Sequence, residues 1–158
     1  MRKILALTIS ALFLGTAATP FALTAKQTVE KEVTRTLANG QTVTEQVEAT
    51  LVTPGEKVVY TFDIVNDDND AVTNLVLAMP VPKEIRFIEG SADRAGARVR
   101  YSTDGGQTYA SRDALVMPDA NGASRAATVD DITHVQWNIA GPIAIGGSDK
   151  VLFKGRLR

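Results

Sequence analysis

The densest set of groups able to do chemistry is Ser102-Thr103-Asp104-Gly105-Gly106-Gln107-Thr108-Tyr109. An aspartate two residues after a serine and four before a threonine can gather hydroxyls and backbone N–H groups onto one carboxylate. The glycines permit the left-handed backbone such a turn needs, and Tyr109 can lay its ring beneath it. Ser102, Asp104, Gly106, Thr108 and Tyr109 are therefore expected to build a hairpin rather than to hold a ligand. A second cluster, Asp67-Asp68-Asn69-Asp70, concentrates oxygens, and Asp67, Asp68 and Asp70 could attract calcium. It lacks the central glycine and the distal bidentate glutamate of a calcium loop, so a solvated turn is expected. Asp130-Asp131 reads as a turn before a strand rather than as half of a carboxylate pair.

The groups that nucleophilic or metal catalysis requires are sparse. His134 is the sole histidine. Alternation puts it opposite Val135, Trp137 and Ile139, on the outward face. One histidine supplies neither a multi-histidine metal site nor a triad, and Ser148 sits in Gly-Gly-Ser-Asp rather than in a nucleophile elbow. Gly105-Gly106 and Gly146-Gly147 lead into no helix, so they form no phosphate loop. The absence of cysteine removes thiolate zinc sites, cysteine nucleophiles and disulfides. The expectation is a non-enzyme with no cofactor and no metal. A glycoside hydrolase is the remote alternative, requiring two carboxyls about 5–9.5 Å apart in a cleft.

Charge and length narrow the setting. The chain has 158 residues and a formal charge of −1. Met1-Arg2-Lys3 followed by the uncharged apolar run Ile4–Gly15 has the form of a secretory leader, too short to span a bilayer stably. Cleavage after Ala18, Ala22 or Ala25 fits the small residues that follow, with Ala25 favoured because Lys26 opens a polar segment. Residues 1–25 are thus expected to be a signal peptide and 26–158 one domain. That leaves about 133 residues, enough for a real core. Loss of Arg2 and Lys3 makes the mature chain more acidic, with no basic stripe to neutralise phosphates, so no nucleic-acid partner is expected. No later segment is apolar enough to cross a membrane as a helix. A disulfide-free exported domain suits the periplasm or the outside of a bacterium.

The elements that must position these groups read as strands. Residues 28–37 carry Val29, Val33 and Leu37 at a spacing that suits either a strand or a helix. Frequent threonine, the turn pair Asn39-Gly40 and renewed alternation over 42–52 favour a hairpin spanning 27–52. Val58, Tyr60, Phe62 and Ile64 then alternate, so one face of that strand should pack on a core. Leu75, Leu77 and Met79 alternate up to Pro80-Val81-Pro82, where proline cannot donate to a ladder. Ile85–Ile88, Arg98–Ser102, Thr108–Met117, Val135–Ile139 and Val151–Leu157 follow as strands, with Pro118–Asp131 as a loop. Seven to nine short strands and no convincing helix predict an all-β, two-sheet sandwich with Greek-key connections.

Two resemblances add to this reading. Ser102 to Tyr109 fits the Asp-box pattern of sialidases and other β-propellers, where it is a turn device lying away from the active site. One copy does not make a propeller. Thr53-Pro54-Gly55 through Tyr60 to Asn66, the polar turn to Asp70, Leu75–Met79, Pro80–Pro82, Phe87–Gly90-Ser91 and Gly146-Gly147-Ser148 with Val151–Leu157 together resemble the conserved repeat domain of bacterial surface proteins. That family is also catalogued as the eleventh domain of unknown function. The resemblance covers roughly residues 47–158, in a single copy. It implies an immunoglobulin-like fold and an envelope setting, and it carries no catalytic residues.

The expected function is therefore a non-catalytic secreted or periplasmic structural or protein-interaction module of the cell envelope. Its partner would be another envelope protein, engaged through an edge strand. The alternative is a carbohydrate- or calcium-binding module, with Asp67–Asp70 for calcium and Tyr101 and Tyr109 as the aromatics available for sugar stacking.

Overall fold

The structure, a computed structural model, describes residues 23–158. The charged start and apolar run expected to form a leader, with Ala18 and Ala22, lie outside the described residues. Ala25 lies within them, opposite Ile64 in a ladder. Ten strands form: β1 Leu23–Thr36, β2 Thr42–Glu48, β3 Lys57–Asn66, β4 Leu75–Pro80, β5 Ile85–Phe87, β6 Ala97–Ser102, β7 Val116–Pro118, β8 Ser124–Ala126, β9 His134–Ile139 and β10 Ser148–Leu157. All pairings are antiparallel, in a sheet ordered β2-β1-β3-β10-β5, a second ordered β4-β9-β6, and the small β7-β8 hairpin. Among the described residues there is no helix, and hence none long and apolar enough to cross a membrane.

The segment that suited either period is a strand. A helix over 28–37 would leave Val29 and Val33 without the ladder that β1 obtains from two neighbours. The first half of β1 pairs with β3 and the second half with β2, and only Glu30 and Lys31 are paired on both sides. Leu37 and Gln41 close the turn (N···O 2.7 Å), with Gly40 at a φ of 81°. The second hairpin strand stops at Glu48, short of the expected 52, and Leu51 is 72 % exposed. There the chain leaves the sheet for the turn in which Glu56 N–H donates to Thr53 O and Glu56 Oε2 accepts from Thr53 N–H.

Strand β3 lies between β1 and β10, and both of its faces are covered. Val58 and Ile64 sit in the core as alternation predicts, with Tyr60 and Phe62 half-buried beside them; Val59 and Thr61, on the opposite face, are also buried. Register flanks Val59 with Glu30 and Lys154. The ion pairs of Glu32 with Lys154 and Lys57 lie over the same face, where the aliphatic stems of the lysines cover apolar surface while their heads stay solvated.

One core joins the two larger sheets. Trp137, from the centre of β9, is fully buried, and its Nε1 donates to Ala92 O at 2.8 Å. Phe153 stacks on Tyr60, and Phe87 meets Tyr101 edge-on and Phe153 at a tilt, with centroids 4.9–6.1 Å apart. Asn66, also fully buried, ties two turns together: its Nδ2 donates to the carbonyls of Asp70, Ile143 and Ala144.

Two expectations are corrected. Residues 108–115 form no strand; only the Tyr101–Ala110 bridge occurs there, and a turn over 111–114 follows. The reason is local: the Asp104 carboxylate takes the Thr108 amide, which curls the backbone away from a ladder. The segment 118–131 is not wholly loop. Asp119 Oδ1 accepts from Asn121 and Ala123 N–H groups, and that turn pairs β7 with β8.

Candidate functional site

The Ser102–Tyr109 segment leaves the end of β6 opposite the start of β9, where Ser102 faces His134. Asp104 Oδ1 accepts from Ser102 Oγ at 2.6 Å and from the Gln107 and Thr108 amides at 3.0 Å. Its Oδ2 accepts from Thr108 Oγ1 at 2.6 Å and from the Thr108 amide at 3.1 Å. Ser102 Oγ in turn accepts from the Asp104 and Gly106 amides. Each oxygen is thus spent on the backbone that carries it. The Ser102 and Thr108 hydroxyls, then the backbone amides, hold the Asp104 carboxyl well below its usual range.

Gly106 is required twice over. Its φ is 86°, and an added Cβ would lie 3.0 Å from Tyr109 Oη and 3.3 Å from His134 Cδ2. His134 is consequently half-buried against this turn rather than free on the outward face, with Nδ1 3.3 Å from Thr133 Oγ1. Thr133 Oγ1 also accepts from the Gly105 amide and reaches Ser102 O at 3.1 Å. Tyr109 is half-buried too, while Tyr101 is 3 % exposed. Burial pushes the Tyr101 phenol up to about 12. Tyr101 therefore presents no open ring of the kind that sugar stacking uses.

A second carboxylate has the same kind of environment and was not distinguished by its sequence. Asp131 takes both guanidinium nitrogens of Arg125 (2.7 and 2.9 Å) together with the amide and hydroxyl of Thr128 (2.7 and 2.8 Å). The Arg125 guanidinium and these Thr128 groups hold it below the ordinary carboxylate range. The threonine three residues ahead of the aspartate was the available signal, but Arg125 comes from β8, which sequence periodicity did not reveal.

The acidic turn is tied together by local bonds. Asp68 Oδ1 takes the neighbouring Asn69 amide, and the Asp68 amide donates to Asn66 Oδ1. Among the described residues no three acidic or histidine groups converge to hold a metal ion, so Asp67, Asp68 and Asp70 do not gather on one point. A hollow of about 370 Å³ opens on the outer face of the three-stranded sheet between Asn74, Val76, Arg98, Asn138, Ile139 and Ala140. No carboxylate lines it.

Comparison with protein-family models, curated proteins and solved structures found no match for this chain.

The depressed carboxyls predict a pH dependence of stability. A group whose folded value lies below its unfolded one stabilises the fold above the unfolded value, and that contribution drains away as pH falls towards the folded value. Thermal melting should therefore be flat near neutrality and fall as pH drops below 3.8, the ordinary value for Asp104 and Asp131. The double variant Asp104→Asn/Asp131→Asn should melt earlier at pH 7 and lose much of this acid slope. An unchanged slope in that variant would show that the two carboxylates do not anchor these turns.

Proposed function

We propose that this chain is an exported, non-catalytic, immunoglobulin-like β-sandwich of the conserved-repeat type, acting as a structural or protein-interaction module of a bacterial cell envelope. One observation carries the reading: the polar groups that looked able to do chemistry are consumed in holding their own turns, whereas among the described residues both larger sheets end in edges that are largely unpaired. Asp104 and Asp131 accept from serine, threonine, arginine and backbone partners within the fold. The leader-like start and the Thr53–Ser91 series of strand and turn signatures support export and the family likeness.

The reading is tested in the cell. The chain is expressed from Met1 with a C-terminal epitope, the compartments are separated, and surface-exposed partners are captured by amine crosslinking followed by mass spectrometry. The expected product lies outside the cytoplasm, begins at Thr19, Leu23 or Lys26, and yields discrete protein adducts. A chain retaining Met1 in the cytoplasm would sink the export reading. An exported chain yielding no protein adducts would sink the interaction reading.

A further inference from the structure

The edges of the two larger sheets differ in how well they are guarded. Edge strands commonly carry charges that oppose pairing with another chain. Strand β2 carries Glu45 and Glu48, the three-residue β5 carries Arg86, and β6 carries Arg98 and Arg100. Part of the outer edge of β6 is also occupied, because Tyr101 and Ala110 exchange both backbone bonds. Strand β4, Leu75-Val76-Leu77-Ala78-Met79-Pro80, has no charge at all, and Val76 is 56 % exposed.

The register says which of its groups are free. Val81 N–H donates to Thr133 O, its opposite number, and bonded pairs in an antiparallel ladder recur at every second residue. Leu75, Leu77 and Met79 therefore turn their amides and carbonyls towards β9. Val76 and Ala78 turn theirs outward, where no other backbone group among the described residues meets them. The free row is bounded at both ends: Asn74 has a left-handed φ of 53°, and Pro80 has no N–H.

We propose that a second copy of this chain pairs antiparallel along β4, fusing two three-stranded sheets into one of six. This rests on the reading of the chain as a protein-interaction module and names its partner. The strand is self-complementary about Leu77: Val76 of one copy faces Ala78 of the other, giving four backbone bonds, and a larger side chain meets a smaller one on the outer face. Like charges oppose the same two-fold arrangement at β2 and β6, and β5 is too short to sustain it. Because both copies use the same edge, the contact closes on itself and does not propagate. One short ladder makes a small interface, so the dimer belongs to the transient class.

The chain contains no cysteine, so a single introduced one reports the contact. At a non-bonded pair on the two-fold, the Cα atoms approach to about 4.5 Å, within disulfide reach. Leu77→Cys, made in the full chain and purified after export, should form a disulfide dimer under mild oxidation. Thr44→Cys, on the outer face of β2, should stay monomeric. Adding Ala78→Pro to Leu77→Cys removes two of the four bonds and should cut dimer yield about tenfold or more. Val76→Lys should do the same without altering the backbone, and unchanged far-UV circular dichroism would show that both variants fold. The proposal is overturned if Leu77→Cys dimerises no better than Thr44→Cys, or if Ala78→Pro and Val76→Lys leave the yield unchanged. Protein adducts in the envelope experiment without this disulfide would sink self-pairing alone and leave the module reading standing.

Discussion

Replacing Trp137 with alanine is expected to remove about 3–5 kcal/mol of stability, the usual cost of emptying a large aromatic site in a packed core. Trp137 is wholly buried at the middle of β9, between Leu77 on β4 and Val99 on β6, and its cluster includes core residues from both larger sheets. The void would open where those sheets meet, and the Ala92 carbonyl would lose the indole N–H that now donates to it. For a domain of this size the thermal midpoint should fall by roughly 10–15 °C. Trp137→Phe separates the two effects: it keeps most of the volume and loses the hydrogen bond, so it should cost clearly less. Chemical denaturation of the three proteins measures this. A loss below about 1 kcal/mol for Trp137→Ala would mean that β9 does not run through the core.

Gly155→Val should be the next most damaging change, at about 3 kcal/mol, the upper end of the range for overpacked sites. Gly155 lies in β10 with Val58 of β3 on one side and Phe87 of β5 on the other. Its backbone φ is not in the left-handed region, so the requirement for glycine here is purely steric. An added Cβ would stand 2.1 Å from Ile85 Cγ2 and 3.2 Å from the Arg86 carbonyl oxygen. Ile85 is itself 5 % exposed and has no open side to retreat to. The clash therefore predicts a specific rescue. Gly155→Ala/Ile85→Ala should be less destabilised than the sum of its single variants, a coupling expected only of residues in contact. Strictly additive losses would contradict this packing of β5 on β10.

These two positions mark how far the amino-acid sequence reveals the fold. Trp137 was legible because Val135, Trp137 and Ile139 alternate with polar residues, and a half-buried strand leaves that trace. Gly155 was not, since a glycine reads as a gap in the alternation and its neighbour Ile85 is remote in sequence. Val59 and Thr61 escaped because polar-looking alternation hides a second covered face when lysine and glutamate stems do the covering. The turn at Asp104 was legible in composition, as a serine, an aspartate and a threonine at short spacing. Its consequence for residues 108–115 was not, because propensity does not register a side chain competing for a backbone amide. Alternation reveals the face of β9 that carries His134 but not its place beside Gly106, since that contact depends on the path of the turn. Arg125 joined Asp131 only once β8 existed. Three-residue strands such as β7 and β8 leave too few alternations to be read.

The Asp104 turn builds the fold, and the uncharged edge of β4 is the proposed binding surface. Amine crosslinking in the intact envelope tests this most directly, comparing the parent chain with Val76→Lys/Ala78→Lys and with Asp104→Asn. The comparison is made at a temperature where melting curves show all three to be folded. Protein adducts are predicted in the parent and in Asp104→Asn, and their loss in the edge variant. Adducts that survive Val76→Lys/Ala78→Lys and vanish with Asp104→Asn would place the working surface at the turn instead of the edge.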